Sequence, residues 1–199
     1  MKKLSVLSPL LLLMLPVCSF AGTLHFDEFG TSPLLSVDGM HVFGVTFHFS
    51  PGSADYNGQI GTSGTAVLVS DPLLTGPTTG TLTLAFDDPT PLLQFDLVLL
   101  SQAPIDQAYT VTLSSGAVLS GSTGPQPGGV YSEGTFQYAG APVTTASITF
   151  FNGADLFGGQ VTDFGLDNLT YQTPEPATQM LFVGGLLALG VIGRREILG

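Results

Sequence analysis

The 199-residue chain carries four basic side chains, Lys2, Lys3, Arg194 and Arg195, against fifteen carboxylates, for a formal net charge of −11. All four cations sit at the two ends, so Gly22–Thr173 holds thirteen carboxylates and three histidines with no Lys or Arg. Nucleic-acid binding is excluded, because nothing there can displace phosphate counterions, and P-loop or Arg-clamped phosphoryl chemistry falls for the same reason. The single cysteine, Cys18, precedes this stretch, which therefore has no disulfide, thiolate nucleophile or Cys-ligated metal. About 150 residues are enough to close one hydrophobic core.

In chain order, Met1-Lys2-Lys3, the apolar run Leu10–Val17 and the small residues Ser19 and Ala21 have the charged, apolar and cleavage regions of a secretory signal peptide. It is expected to span residues 1–21, with cleavage between Ala21 and Gly22. From Leu24 onward the apolar period is two, and no helical stripe of ten residues occurs. Alternating sets predict strands at Leu24 and Phe26, Val45–Phe49, Val67–Val69, Leu82–Phe86, Leu93–Leu99, Tyr109–Leu113, Phe136–Tyr138 and Ala146–Phe150. Phe164 and Leu166 share one parity while Leu169 and Tyr171 share the other, which a β-bulge near Asp167-Asn168 reconciles. Turns or loops are expected at Ser50–Ser53, Asp71-Pro72, Thr75–Pro77, Asp87–Pro89, Ser114–Gly116 and Gly121–Gly129. Nine or ten short strands so spaced predict an all-β, two-sheet β-sandwich over residues 22–173.

After Thr173 come Pro174-Glu175-Pro176, the nearly all-apolar Ala177–Gly193, and Arg194-Arg195. Seventeen residues at 1.5 Å each give roughly 25 Å, a short transmembrane helix whose arginines hold the cytoplasmic side. This order of motif, span and basic end resembles the PEP-CTERM sorting signal of Gram-negative bacteria. The resemblance covers residues 174–199. It implies an exported protein, transiently anchored in the inner membrane, whose tail an exosortase-like protease recognises at Pro174, Glu175 and Pro176 before passing the protein to the cell surface or extracellular matrix. It also implies a host that makes exopolysaccharide or biofilm. Separately, Leu24–Phe29 and Phe164–Leu169 resemble the first and last strands of jelly-roll carbohydrate-binding modules, in some of which these strands share a structural calcium ion.

Calcium suits the ligands this stretch has in abundance, and the candidates are Asp27, Glu28, Asp163 and Asp167. No other cofactor is indicated. For sugar stacking the candidates are Tyr56 and Tyr131, which stand in Gly-rich, loop-like settings. A glycosidase needs two facing carboxylates, for which Asp87 with Asp163 is one available pair. Gly61–Thr65 departs from the Gly-x-Ser-x-Gly elbow at its last position. His41 and His48 are a conceivable metal pair, although solvated histidines are the commoner outcome. The expectation is a non-catalytic surface or matrix protein, structural or adhesive in exopolysaccharide. The alternatives are a calcium-dependent carbohydrate-binding module and, behind it, a glycoside hydrolase.

Overall fold

The computed structural model describes residues 20–26, 35–58, 73–125 and 131–173. The chain divides into two compact units, Ala21–Thr173 and a second comprising Met1–Phe20 and Pro174–Gly199. Apart from Phe20, the second unit lies outside the described residues, and with it lie residues 1–19 of the expected signal peptide and the whole of the expected sorting motif and span, with Arg194 and Arg195. Asp27, Glu28, Gly61–Thr65, the expected strand at Val67–Val69 and the expected turn at Asp71-Pro72 are outside them as well. Among the described residues every regular element is a strand, and no helix is long and apolar enough to cross a membrane.

Eleven strands form: β1 (Phe20–Leu24), β2 (Leu35–Ser36), β3 (His41–Val42), β4 (Val45–Ser50), β5 (Asp55–Gly58), β6 (Leu73–Pro77), β7 (Thr81–Leu99), β8 (Ile105–Leu113), β9 (Val118–Pro125), β10 (Ser132–Phe150) and β11 (Asp163–Thr173). β7 and β10, 19 residues each, pair antiparallel from end to end. Thr81–Ala85 face Thr145–Thr149, and Leu92–Leu99 face Ser132–Ala139.

Between these two runs the register shifts on either side of Val143, and the ribbon passes from one layer to the other. One layer contains β3, β4, the first half of β7, the second half of β10, β8 and the start of β9. The other contains β2, β5, β6, β11, the second half of β7 and the first half of β10. β1 pairs with β11, and the end of β9 reaches Glu133 and Ser132 of β10.

The layers are held by the inward residues of each strand. Val45, Phe47 and Phe49 of β4, Leu82 and Leu84 of β7, and Val111 and Ile148 of β8 and β10 are all buried, on the parity that alternation predicts. Ring contacts cross between the layers. Phe150 stacks on Phe164 at 3.8 Å, Phe49 meets Phe164 at 5.9 Å, and Tyr109 lies 5.9 Å from Phe95 and 6.1 Å from Phe136. Each pair adds roughly 0.5–1.5 kcal/mol to the burial of its rings.

Three expected turns are strand instead. Asp87–Pro89 lies inside β7, Thr75–Pro77 inside β6, and Gly121–Pro125 inside β9. The first is a bend in a continuing strand rather than a reversal. Pro89 and Pro91 lack N–H groups, and buried Thr90 takes up the local bonding: its hydroxyl donates to Leu92 O at 2.6 Å and accepts the Gln172 N–H at 2.9 Å. Gly121 is a close approach, because a Cβ there would collide with the Tyr109 ring and hydroxyl. The expected bulge is present. β11 slips register against β7 between Asp167 and Thr170, with Asn168 at φ +52°.

Candidate functional site

The residues singled out by sequence are scattered. Asp163 and Asp167 lie on one face of β11, but four residue steps along the strand set them roughly 13 Å apart, too far for a shared ion. Asp163 Oδ2 accepts the Thr162 hydroxyl at 2.7 Å, and Asp167 is buried opposite Asp96. Among the described residues no three His, Cys, Asp or Glu side chains gather as a metal site. Tyr56 pairs with Leu35 in β5, and its side chain is outside the described set. Tyr131 is buried, which raises its hydroxyl pKa, so its ring is not offered to a sugar. Ala21 and Gly22 are exposed residues of β1, so the expected cleavage point falls inside a strand and would leave Gly22–Leu24 of it.

The conceivable histidine pair is divided between two carboxylates. His41 Nε2 lies 3.5 Å from Asp87, and His48 Nδ1 lies 3.4 Å from Asp38. Asp87 and Asp163 are no glycosidase pair either. Asp87 acts electrostatically on Tyr171, eight residues along β11 from Asp163, a strand length of roughly 26 Å.

The outer face of β1, β11, β7 and β10 carries a row of mutually bonded polar groups. Thr23 and Thr170 hydroxyls meet at 2.7 Å. His25 Nδ1 meets Asn168 Oδ1 at 2.7 Å, and Asn168 Nδ2 donates to Asp96 Oδ2 at 2.9 Å. Thr135 donates to the other Asp96 oxygen at 2.6 Å. These bonds turn the strand register into a solvated surface and leave its hydrogen-bonding capacity largely satisfied.

A cleft of about 310 Å³ opens at one end of the sandwich, lined by Leu100, Ser101, Gln102, Asp155, Phe157, Gly159 and Gln160. One wall is the loop after β7, and the other is a short hairpin between β10 and β11 closed by the Ala154–Gln160 bridge. Asp155 organises both. Its Oδ1 accepts the N–H groups of Phe157 at 2.9 Å and Gly159 at 2.8 Å, and its Oδ2 accepts the Ser101 hydroxyl at 3.1 Å across the cleft. The main chain of Asp155 bonds again to Gly159 O at 2.7 Å and to Gly158 N–H at 3.0 Å. Gly158, at φ +81°, makes the turn that a side chain would strain.

Burial alone would raise the Asp155 pKa. The bonds from Gly159, Phe157, Ser101 and the Gln102 main chain outweigh it and hold the carboxyl below its usual 3.8.

The hairpin so fixed presents Leu156 and Phe157 to solvent, 77% and 75% exposed. Folded chains seldom hold two adjacent large apolar side chains out of a core on a rigid loop without a use. The arrangement offers an open phenyl ring beside the amides of Gln102 and Gln160, and Gln160 Nε2 donates to Asn152 Oδ1 at 3.3 Å. Asp155 is the one carboxylate lining the cleft. The cleft lay outside the sequence-based candidates because its two walls are fifty residues apart. The legible signal was the Leu156-Phe157 pair in a Gly-flanked segment, Asn152–Gly159, where alternation stops.

No known family and no curated protein matches the chain. Among solved structures it is similar to a family 29 carbohydrate binding module, with a TM-score of 0.40 and 9% identity over 79% of this chain and 90% of that one. A mutant of the module CBM29-2 complexed with mannohexaose gives 0.35 and 11% over 79% and 94%. Another, complexed with cellulohexaose, gives 0.34 and 10% over 77% and 92%. Likeness at this level sets neither family nor ligand.

Proposed function

We propose that the chain is an exported, non-catalytic surface or matrix protein, sorted through its PEP-CTERM-like tail and processed by an exosortase-like protease, whose sandwich binds carbohydrate at the loop-end cleft. The observation that carries the binding role is the Phe157 ring, exposed on a hairpin whose bonds converge on Asp155. A pyranose offers an apolar C–H face to such a ring and hydroxyls to flanking amides, and Phe157, Gln102 and Gln160 supply that combination. Hydrolysis of a glycosidic bond asks for two carboxylates at the scissile oxygen, whereas this cleft has Asp155, with both oxygens already bonded.

Retention of the full chain, solubilised in mild detergent, on the producing bacterium's exopolysaccharide tests the reading. It is run in calcium and again in chelator. The reading expects retention; none in either buffer overturns it. Retention lost in chelator supports calcium at the acidic residues Asp27, Glu28, Asp163 and Asp167, with Asp163 acting apart from Asp167. Retention that ignores chelator removes the ion and keeps the sugar.

A further inference from the structure

We infer that the sandwich has a second carbohydrate contact at its opposite end, the tip of the β3–β4 hairpin at Phe43, and that the domain therefore bridges two glycan chains; this rests on the carbohydrate reading of the cleft. Val42 pairs with Val45, so Phe43 and Gly44 are the two central residues of the turn, at φ +49° and +89°. A two-residue turn with both φ values positive calls for Asn, Asp or Gly at its first position. A bulky side chain at positive φ is an outlier. Phe43 occupies that position and is 68% exposed, so neither local backbone preference nor core packing accounts for the ring.

The surroundings hold the strained tip still. Tyr171 Oη donates to Phe43 O at 2.9 Å, and the Asp87 N–H bonds to Gly44 O at 2.9 Å. Beside the turn stands the His41–Asp87 pair, with both side chains more than half exposed. A Cβ on Gly44 would lie 3.9 Å from Asp87 Oδ2. The tip thus combines one open ring with hydrogen-bonding groups, the same kit as the cleft.

A stable protein interface needs roughly 800 Å² from each partner around a contiguous apolar centre, which one isolated ring does not supply. A polyanion is disfavoured because Gly22–Thr173 holds thirteen carboxylates and no Lys or Arg. A single sugar ring fits both the size and the charge. β11 runs from Asp163, beyond the Phe157 hairpin, to Tyr171, bonded under Phe43, a distance of roughly 26 Å. Two sugars at that separation belong to different chains or to distant points on one chain.

The test uses the full chain at one copy per micelle, mixed with the producing bacterium's exopolysaccharide and, in parallel, with a soluble glucan, galactan and mannan. Light scattering reports bridging, and gel retardation reports binding. Wild type is expected to retard and to raise scattering to a maximum that falls again in protein excess. Phe43→Asn, which suits the turn, is expected to keep retardation while scattering drops at least about tenfold, with Tm up by about 2 °C as strain is relieved. Phe43→Tyr keeps the ring and should restore scattering, which guards against a folding artefact. Phe43→Asn scattering as strongly as wild type overturns the bridge. Wild type that neither retards nor scatters with any of these glycans overturns the carbohydrate reading itself, a separate result.

Discussion

At the cleft end of the sandwich an ionised carboxylate, Asp155, gathers N–H and O–H donors and holds Phe157 outward. At the other end a neutral phenol, Tyr171, gives its proton to the carbonyl of Phe43 and holds that ring outward. Both hairpins are short and both expose an aromatic residue, yet one depends on a group being charged and the other on a group staying neutral. Desolvation and the nearby Asp87 charge push the Tyr171 pKa up to about 12, while hydrogen bonds hold Asp155 below 3.8 against its own desolvation. The same mechanical task is thereby given opposite pH limits, and the core between the ends is common to both.

Cutting that core has the largest expected effect. Phe164 stacks on Phe150 and touches Phe49 at full burial, so Phe164→Ala should cost about 3–5 kcal/mol. That lowers Tm by roughly 6–20 °C and loosens both ends together, which calorimetry would register as one transition. Asp155→Ala should separate the ends. It frees Phe157, Gly159 and Ser101 from their common acceptor, so glycan retention should fall about tenfold while the Phe43 hairpin keeps its hydrogen-exchange protection.

Tyr171→Phe is the converse and smaller change. It removes one hydrogen bond, worth about 1 kcal/mol, and should raise exchange at Phe43 and Gly44 while leaving the cleft untouched.

pH sharpens the contrast further. A raised folded pKa for Tyr171 means that its contribution is complete below pH 10 and lost as pH rises toward about 12. Tyr171→Phe should therefore flatten the alkaline limb of a stability profile. A lowered folded pKa for Asp155 means that its contribution is complete above the ordinary carboxylate range and lost as pH falls below 3.8. Cleft binding should therefore persist through the ordinary carboxylate range and be lost only as pH falls through the lowered Asp155 pKa, and retention measured against pH gives the result directly.

The layers could be read from the chain because burial imposes period two on every inner face. Val45-Phe47-Phe49 and Leu82-Leu84-Phe86 turn inward as alternation requires, and the parity break at Phe164–Tyr171 marks the bulge at Asn168. What alternation does not encode is which strand lies beside which. Asp87–Pro89 looks like a turn by composition and becomes a bend because β10 continues alongside it. Gly121–Pro125 looks like loop and becomes strand because it pairs with β8 and β10, where Gly121 leaves room for the Tyr109 ring. Tyr131 reads as a loop tyrosine and is buried. The cleft escaped for the same reason, since Ser101 and Asp155 meet only once β7, β10 and β11 have taken their places.

On the proposed reading, Phe157 is the sugar-stacking surface of the cleft. Affinity electrophoresis of the full chain in exopolysaccharide gels, comparing Phe157→Trp, wild type and Phe157→Ala, tests it most directly. A larger ring stacks more strongly and a methyl does not stack, so retardation should fall in that order, by about tenfold between wild type and Ala. Equal retardation of all three, with the wild type bound, would contradict the claim and place the sugar elsewhere on the sandwich.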